Sequence, residues 1–206
     1  MYLPKINRIE DLPAIEDFIE KNSFAILINE VKENPWATHL PLELEVNEAG
    51  EKVLWGHLSK ANPQWKSFGK EEQVLAIFQG PHTYISSSWY NHVNVPTWNY
   101  IAVHVYGKIK LMNDEQVYEH LKRLVNKYEA ISENPVSVET MPPEFVRKEM
   151  KGVVGFEIAI EKIEGKWKLS QNRDDENYRN IILELEKLNN VNAALIAEEM
   201  KKMRNV

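Results

Sequence analysis

The segment WNYIAVHVYGKIKLM (98–112) constrains the fold more than any other, because it has the period of a strand but no face suited to water. Ile101, Val103, Val105, Ile109 and Leu111 alternate onto one side, the pattern of a strand against a core. The other side carries Trp98, Tyr100, Ala102, His104 and Tyr106, and turns basic only at Lys108 and Lys110. A half-solvated strand alternates apolar with charged or small polar residues. This one therefore calls for cover on its second face: a second copy of the chain, a flat ligand, or a helix of the same chain. Aromatic side chains with polar tips suit interfaces and flat-ligand pockets alike.

The rest of the chain supplies antiparallel neighbours. A short helix is predicted over 11–22, with Asp11 as cap, Pro13 in the first turn and Leu12, Ile15, Phe18 and Ile19 on one face. SFAILIN (23–29) reads as a buried strand, and WATHLPLELEV (36–46) as one strand burying Leu40, Leu42, Leu44 and Val46. NEAG (47–50) turns the chain into KVLWGHL (52–58), a hairpin partner. A polar turn and short helix (59–68) precede a buried strand, QVLAIFQG (73–80). Residues 80–100 then form an aromatic loop between Pro81 and Pro96. Asn113 and Gln116 form a capping box for a helix whose stripe is Val117, Leu121, Leu124, Val125 and Tyr128. After a connector (134–143) and a short helix, residues 153–169 read as a strand, a turn at Gly165 and a second strand. Two amphipathic helices, parted near Asn189 and Asn190, end the chain. Strands joined by short turns favour an antiparallel barrel or sandwich. Neither a dinucleotide-binding glycine fingerprint nor a phosphate loop occurs.

At 206 residues the chain suits one domain with helical appendages. It has no cysteine, which removes disulfides and thiolate chemistry and suits the cytoplasm. Its start, MYLPKINRIEDL, is not a secretory signal, and no run approaches the roughly 20 apolar residues that span a bilayer. The net charge of −6 and the scatter of its basic residues disfavour nucleic-acid binding through the domain surface. The terminal helices are acidic apart from KKMR (201–204), and no clear helix-turn-helix is apparent.

Several clusters could carry chemistry. His39, His57, His82 and His104 lie on or beside strands without the spacing of a zinc site, so no metal is expected. Ser86, Ser87 and Ser88 lack a nucleophile elbow and read as a polar turn or ligand donors. GHLSKANPQW (56–65) ends a strand with hydroxyls, backbone N–H groups and one ammonium near a helix start, a geometry suited to phosphate. In KLSQNR (168–173), Asn172 and nearby Asp174 are candidate caps, while Gln171 and Arg173 are candidate donors to a carbonyl-rich ring or phosphate.

MYLPK, ATHLPL (37–42), GHLSKANPQW (56–65), FQGPHTYISSSWY (78–90), VPTWNYIAVHVYGK (95–108) and GFEIAIEKIEGKWKLSQNR (155–173) together resemble the PaiB family of FMN-binding negative transcriptional regulators. Ser87 departs from the family, which often has proline there. The resemblance implies a mainly β fold, a six-stranded antiparallel Greek-key split β-barrel with flanking and C-terminal helices. It implies a barrel domain over 1–173 and a helical extension over 174–206. It also implies a homodimer with FMN at the subunit interface. Ser59 and Lys60 would hold the FMN phosphate, and Thr38, His39 and Leu40 would lie along the isoalloxazine, with His57, Asn99 and Gln171 as further contacts. The implied function is repression of protease and sporulation genes of bacilli, directly on DNA or through a regulatory protein. The alternatives are an FMN-dependent oxidoreductase, with His82 or His104 as proton donor, and a cofactor-free interaction protein.

Overall fold

The computed structural model describes residues 1–69 and 72–204; the last two residues of the expected helical extension, 205 and 206, lie outside them. Two compact units are present, one of Met1–Phe18, Gln79–His104 and Glu164–Val206, the other of Ile19–Phe78 and Val105–Ile163.

The second unit is built on antiparallel strands β2 (Phe24–Val31), β3 (Asn34–Pro41), β4 (Glu43–Val46) and β5 (Lys52–Ser59) and on parts of β6 (Gln73–Ile85), β7 (Thr97–Leu111) and β8 (Val153–Lys168). Their order is β3-β2-β6-β7-β8-β5-β4, and β1 (Arg8–Ile9) joins β8 in the other unit, making eight strands. The mainly β antiparallel class agrees with expectation, while the strand number exceeds the expected six. One cause lies at Pro41 and Leu42, where the expected single strand 36–46 breaks. The Leu42 N–H turns to the Ser23 carbonyl (2.8 Å) and its side chain is fully buried. β3 and β5 stand near opposite ends of the strand order yet pack against each other, so this sheet curls on itself.

Helix α2 (Asp114–Glu129) begins with the expected capping box: the Asn113 side chain accepts from the Gln116 N–H at 2.9 Å, and Gln116 accepts from the Asn113 N–H at 3.1 Å. It docks through polar contacts as well as its apolar stripe. The Tyr128 hydroxyl donates to buried Glu43 (2.9 Å), and Lys127 pairs with the same carboxylate. His120, 1% exposed, shares one hydrogen bond with His57 of β5, its Nε2 to His57 Nδ1 at 3.0 Å. α3 (Pro143–Met150) follows.

In the first unit, α1 (Leu12–Lys21) sets Phe18 edge-on to Trp167, with centroids 5.2 Å apart. The expected turn at Gly165 is absent. β8 continues through it, because β1 pairs there, Ile9 opposite Gly165 and Arg8 opposite Lys166. Asp174 caps α4 (Asp175–Lys187), its carboxylate accepting from the Asn177 N–H at 2.9 Å. α5 (Val191–Arg204) packs on α4. Arg204 fastens this hairpin: it pairs with Asp175 (2.8 Å), donates to the carbonyls of Gln171 (2.9 Å) and Arg173 (2.6 Å), and stacks on Tyr178 at 4.0 Å. The second face of β7 is uneven in this unit: Ala102 is buried, Tyr100 and His104 are half-buried, and Trp98 is 53% exposed.

Two outcomes follow. A Cβ on Gly107 would lie 2.1 Å from the Ala159 carbonyl oxygen, which the sheet cannot move aside. Gly107→Ala is expected to lower stability by about 3 kcal/mol, read as a lower urea midpoint. The histidine pair adds a pH dependence. Burial, with neighbouring His57 second, pushes the His120 pKa down from 6.5 to about 3, and burial also lowers that of His57. The unfolded chain therefore binds protons that the folded chain refuses. The stability from these neutral rings is full above pH 6.5 and falls progressively toward about pH 3. The urea midpoint should drop between about pH 7 and about pH 5, and His120→Gln should flatten that slope.

Candidate functional site

The 59–67 turn is held rigidly from behind, and one buried amide does most of the holding. Gln64 is completely buried in a short 3-10 turn (Pro63–Ser67) that Asn62 caps. Its oxygen accepts from the Thr38 hydroxyl (2.5 Å) on β3, and its nitrogen donates to Asn29 Oδ1 (2.8 Å) and the Leu27 carbonyl (3.3 Å) on β2. Asn62 donates to Thr38 Oγ1 at 2.9 Å, Asn29 to Ser67 Oγ at 2.7 Å, and Ser67 to the Gln64 carbonyl at 2.7 Å. A buried amide is stable only when its donors and acceptor are matched, so this network fixes the turn against the sheet. Nothing in the spacing of N-P-Q-W distinguishes Gln64 from a surface glutamine.

On this turn Ser59 and Lys60 are exposed. Backbone bonds pin both sides of Lys60: its N–H donates to the Gly152 carbonyl (2.8 Å), and its own carbonyl accepts from Trp65 Nε1 (3.0 Å). The expected backbone N–H donors are spent, since that of Ala61 goes to Ser59 Oγ (3.3 Å) and those of Asn62 and Gln64 are bonded inside the turn. What the turn presents is the Ser59 hydroxyl proton and the Lys60 ammonium, which pairs with no carboxylate among the described residues.

Of the other candidates, Thr38 is half-buried on edge strand β3, its hydroxyl engaged by Gln64 and Asn62. His39 projects outward and stacks on exposed Phe24, 6.4 Å between centroids. Leu40 is in the core at 4% exposure. His57 is half-buried against His120, its proton affinity lowered by burial. Asn99 and Gln171 belong to the first unit. Asn99 is fully buried, exchanging hydrogen bonds with Ser170 Oγ at 3.0 and 3.1 Å. Gln171 accepts from the Leu169 N–H (2.8 Å) and donates to the Trp167 carbonyl, closing the turn at Ser170, whose φ is +60°. The serines form a turn, Ser86 Oγ accepting from the Ser88 N–H at 3.2 Å. Burial and then Met1's amine lower the pKa of His104, Glu164 opposes them, and Lys166 adds a smaller lowering.

The donor set at 59–60 fits a phosphate monoester: one hydroxyl, one unpaired ammonium and a backbone that cannot shift. The Phe24–His39 pair on the same unit fits a flat ring.

Comparison with known proteins agrees with this chemistry. The family described as "Putative FMN-binding domain" matches residues 1–162. The chain is 42% identical over 201 residues to "Protease synthase and sporulation protein PAI 2" of Bacillus subtilis, covering 98% of this chain and 97% of that protein. Among solved structures, the FAD and heme binding protein of Mycobacterium smegmatis superposes with a TM-score of 0.60 at 12% identity, covering 84% of this chain and 78% of the other. The flavocytochrome Anf3 of Azotobacter vinelandii superposes with a TM-score of 0.58 at 19% identity, covering 84% and 74%. At such identities these two speak to fold alone, and they place the chain in the split-barrel class. The family match and the near full-length Bacillus relative establish that this chain belongs to the FMN-binding, PaiB-like family.

Proposed function

We propose that the chain binds FMN and acts as a PaiB-type negative regulator of transcription. The observation that carries the reading is the Lys60 ammonium, without a carboxylate, beside the Ser59 hydroxyl on a turn locked by Gln64. Ser59 and Lys60 would hold the phosphate, while Thr38, His39 and Leu40 would offer strand β3 to the ring and His57 would lie behind them. Asn99 and Gln171, whose polar atoms are engaged within their own unit, would act by holding its backbone. When bound, FMN supplies a two-electron redox centre that can be used for reaction or for sensing. The family's likeness to a named sporulation protein supports a regulatory role, and a homodimer is the form proposed for it.

Repression is proposed to run through a protein partner rather than through the basic tail. Lys201 pairs with Glu186, Lys202 with Glu199 (2.7 Å) and Arg204 with Asp175 (2.8 Å), so these cations are engaged inside the chain. Phosphate binding needs cations ready to replace counterions. Of the two candidate proton donors of the oxidoreductase alternative, His104 is held toward its neutral form, chiefly by burial, which leaves His82 as the acid to test.

Lys60→Ala tests the phosphate assignment. It should weaken FMN binding by roughly tenfold or more, as expected for loss of one charge-assisted hydrogen bond. Unchanged affinity, measured by flavin fluorescence quenching, would refute it.

A further inference from the structure

Three cations of the first unit are engaged by carbonyl, hydroxyl and ring groups rather than by carboxylates. Lys166 is 6% exposed, donates to the Tyr2 carbonyl (3.0 Å) and stands over the rings of Tyr2 (5.5 Å) and Tyr100 (5.1 Å). Lys168 is half-buried and donates to Thr97 Oγ1 at 2.5 Å. Arg173 is half-buried over the ring of Tyr90 at 4.9 Å. None of the three makes an ion pair among the described residues, although the chain carries 31 acidic residues against 25 basic ones. Burial, then Lys166 and Arg173, lower the pKa of Lys168, so Lys168 feels both of the other positive groups. Gathering unpaired cations in a partly desolvated place costs free energy that a bound anion would recover.

The cations border an aromatic surface. Lys166 and Lys168, two apart on β8, share a face, as do Trp98 and Tyr100 on β7. The Lys166 ammonium over Tyr100 shows that these faces are on the same side of the sheet. Trp98 and Tyr84 are 53% and 45% exposed, with His82 and Tyr84 set 6.2 and 6.0 Å from the Trp98 ring. Beneath Arg173, the Tyr90 hydroxyl is buried without a hydrogen-bond partner among the described residues.

We propose that Lys166, Lys168 and Arg173, with Trp98 and Tyr100, form a binding site for a small aromatic molecule bearing a phosphate or carboxylate. The cations take the anionic group, and the exposed indole takes the ring by stacking. This site is separate from the phosphate assigned to Lys60 and does not depend on it.

Titration of the intact protein, followed by NMR at the Trp98 indole N–H, tests the proposal with four probes: phenyl phosphate, benzoate, inorganic phosphate and phenol. Phenyl phosphate or benzoate should bind, and whichever binds more tightly identifies the anionic group. Inorganic phosphate should bind more weakly and phenol weakest. Lys168→Gln and Arg173→Gln should each weaken the aromatic anion by roughly tenfold, with melting temperature retained and, for Lys168→Gln, FMN affinity retained as well. Lys60→Ala should leave phenyl phosphate binding unchanged, so failure of the flavin assignment would not be mistaken for failure here. The proposal is overturned if phenol binds as well as the anions, or if the variants bind like the wild type. It is also overturned if Lys168→Gln abolishes FMN binding while sparing phenyl phosphate. Dissociation of a dimer by the variants would overturn it too, by assigning the cations to carboxylates of a second copy.

Discussion

A single buried amide organises the candidate flavin site. Gln64 has no exposed surface, and its side chain is bonded to β2 and β3 at once. Removing it would take from the Thr38 hydroxyl proton and from Asn29 Oδ1 the partner each has in Gln64, at about 1–3 kcal/mol for each group stranded. That penalty makes the turn rigid. Lys60 therefore projects from a fixed backbone, so meeting an anion has only the lysine side chain left to order.

The same logic separates positioning residues from contacting ones. Thr38 and Asn99 are polar residues in a family-like pattern, yet both spend their hydrogen bonds inside the protein. Ser59 and Lys60 keep theirs available. His57 lies between these cases: it faces His120 across one proton, and burial keeps both rings toward the neutral form. α2 is thus tied to β5 by a contact that acid weakens.

Much of the fold was legible in the chain. Alternation in 98–112 marked the central strand, and the Asn113–Gln116 box marked the start of α2, because local periodicity and capping are local physics. The breaks that failed were tertiary. Strand 36–46 splits because Leu42 is drawn into the core, and β8 runs through Gly165 because a two-residue strand from the N-terminus pairs there. Of the site, the Ser-Lys turn stood out by composition. Gln64 did not, since only the folded structure reveals that its amide has no water. Nor did spacing reveal that Lys166, Lys168 and Arg173 make no ion pair among the described residues, while the nearby acids Glu161, Glu164 and Asp174 engage Lys108, the Met1 amine and the Asn177 N–H.

The central claim is that the locked turn serves FMN. Its most direct test is the visible absorption of the purified protein, with the mass of any released ligand and a titration of added FMN. The account predicts a yellow protein, or one that takes up FMN to one molecule per chain. A colourless protein that fails to bind added FMN would contradict it.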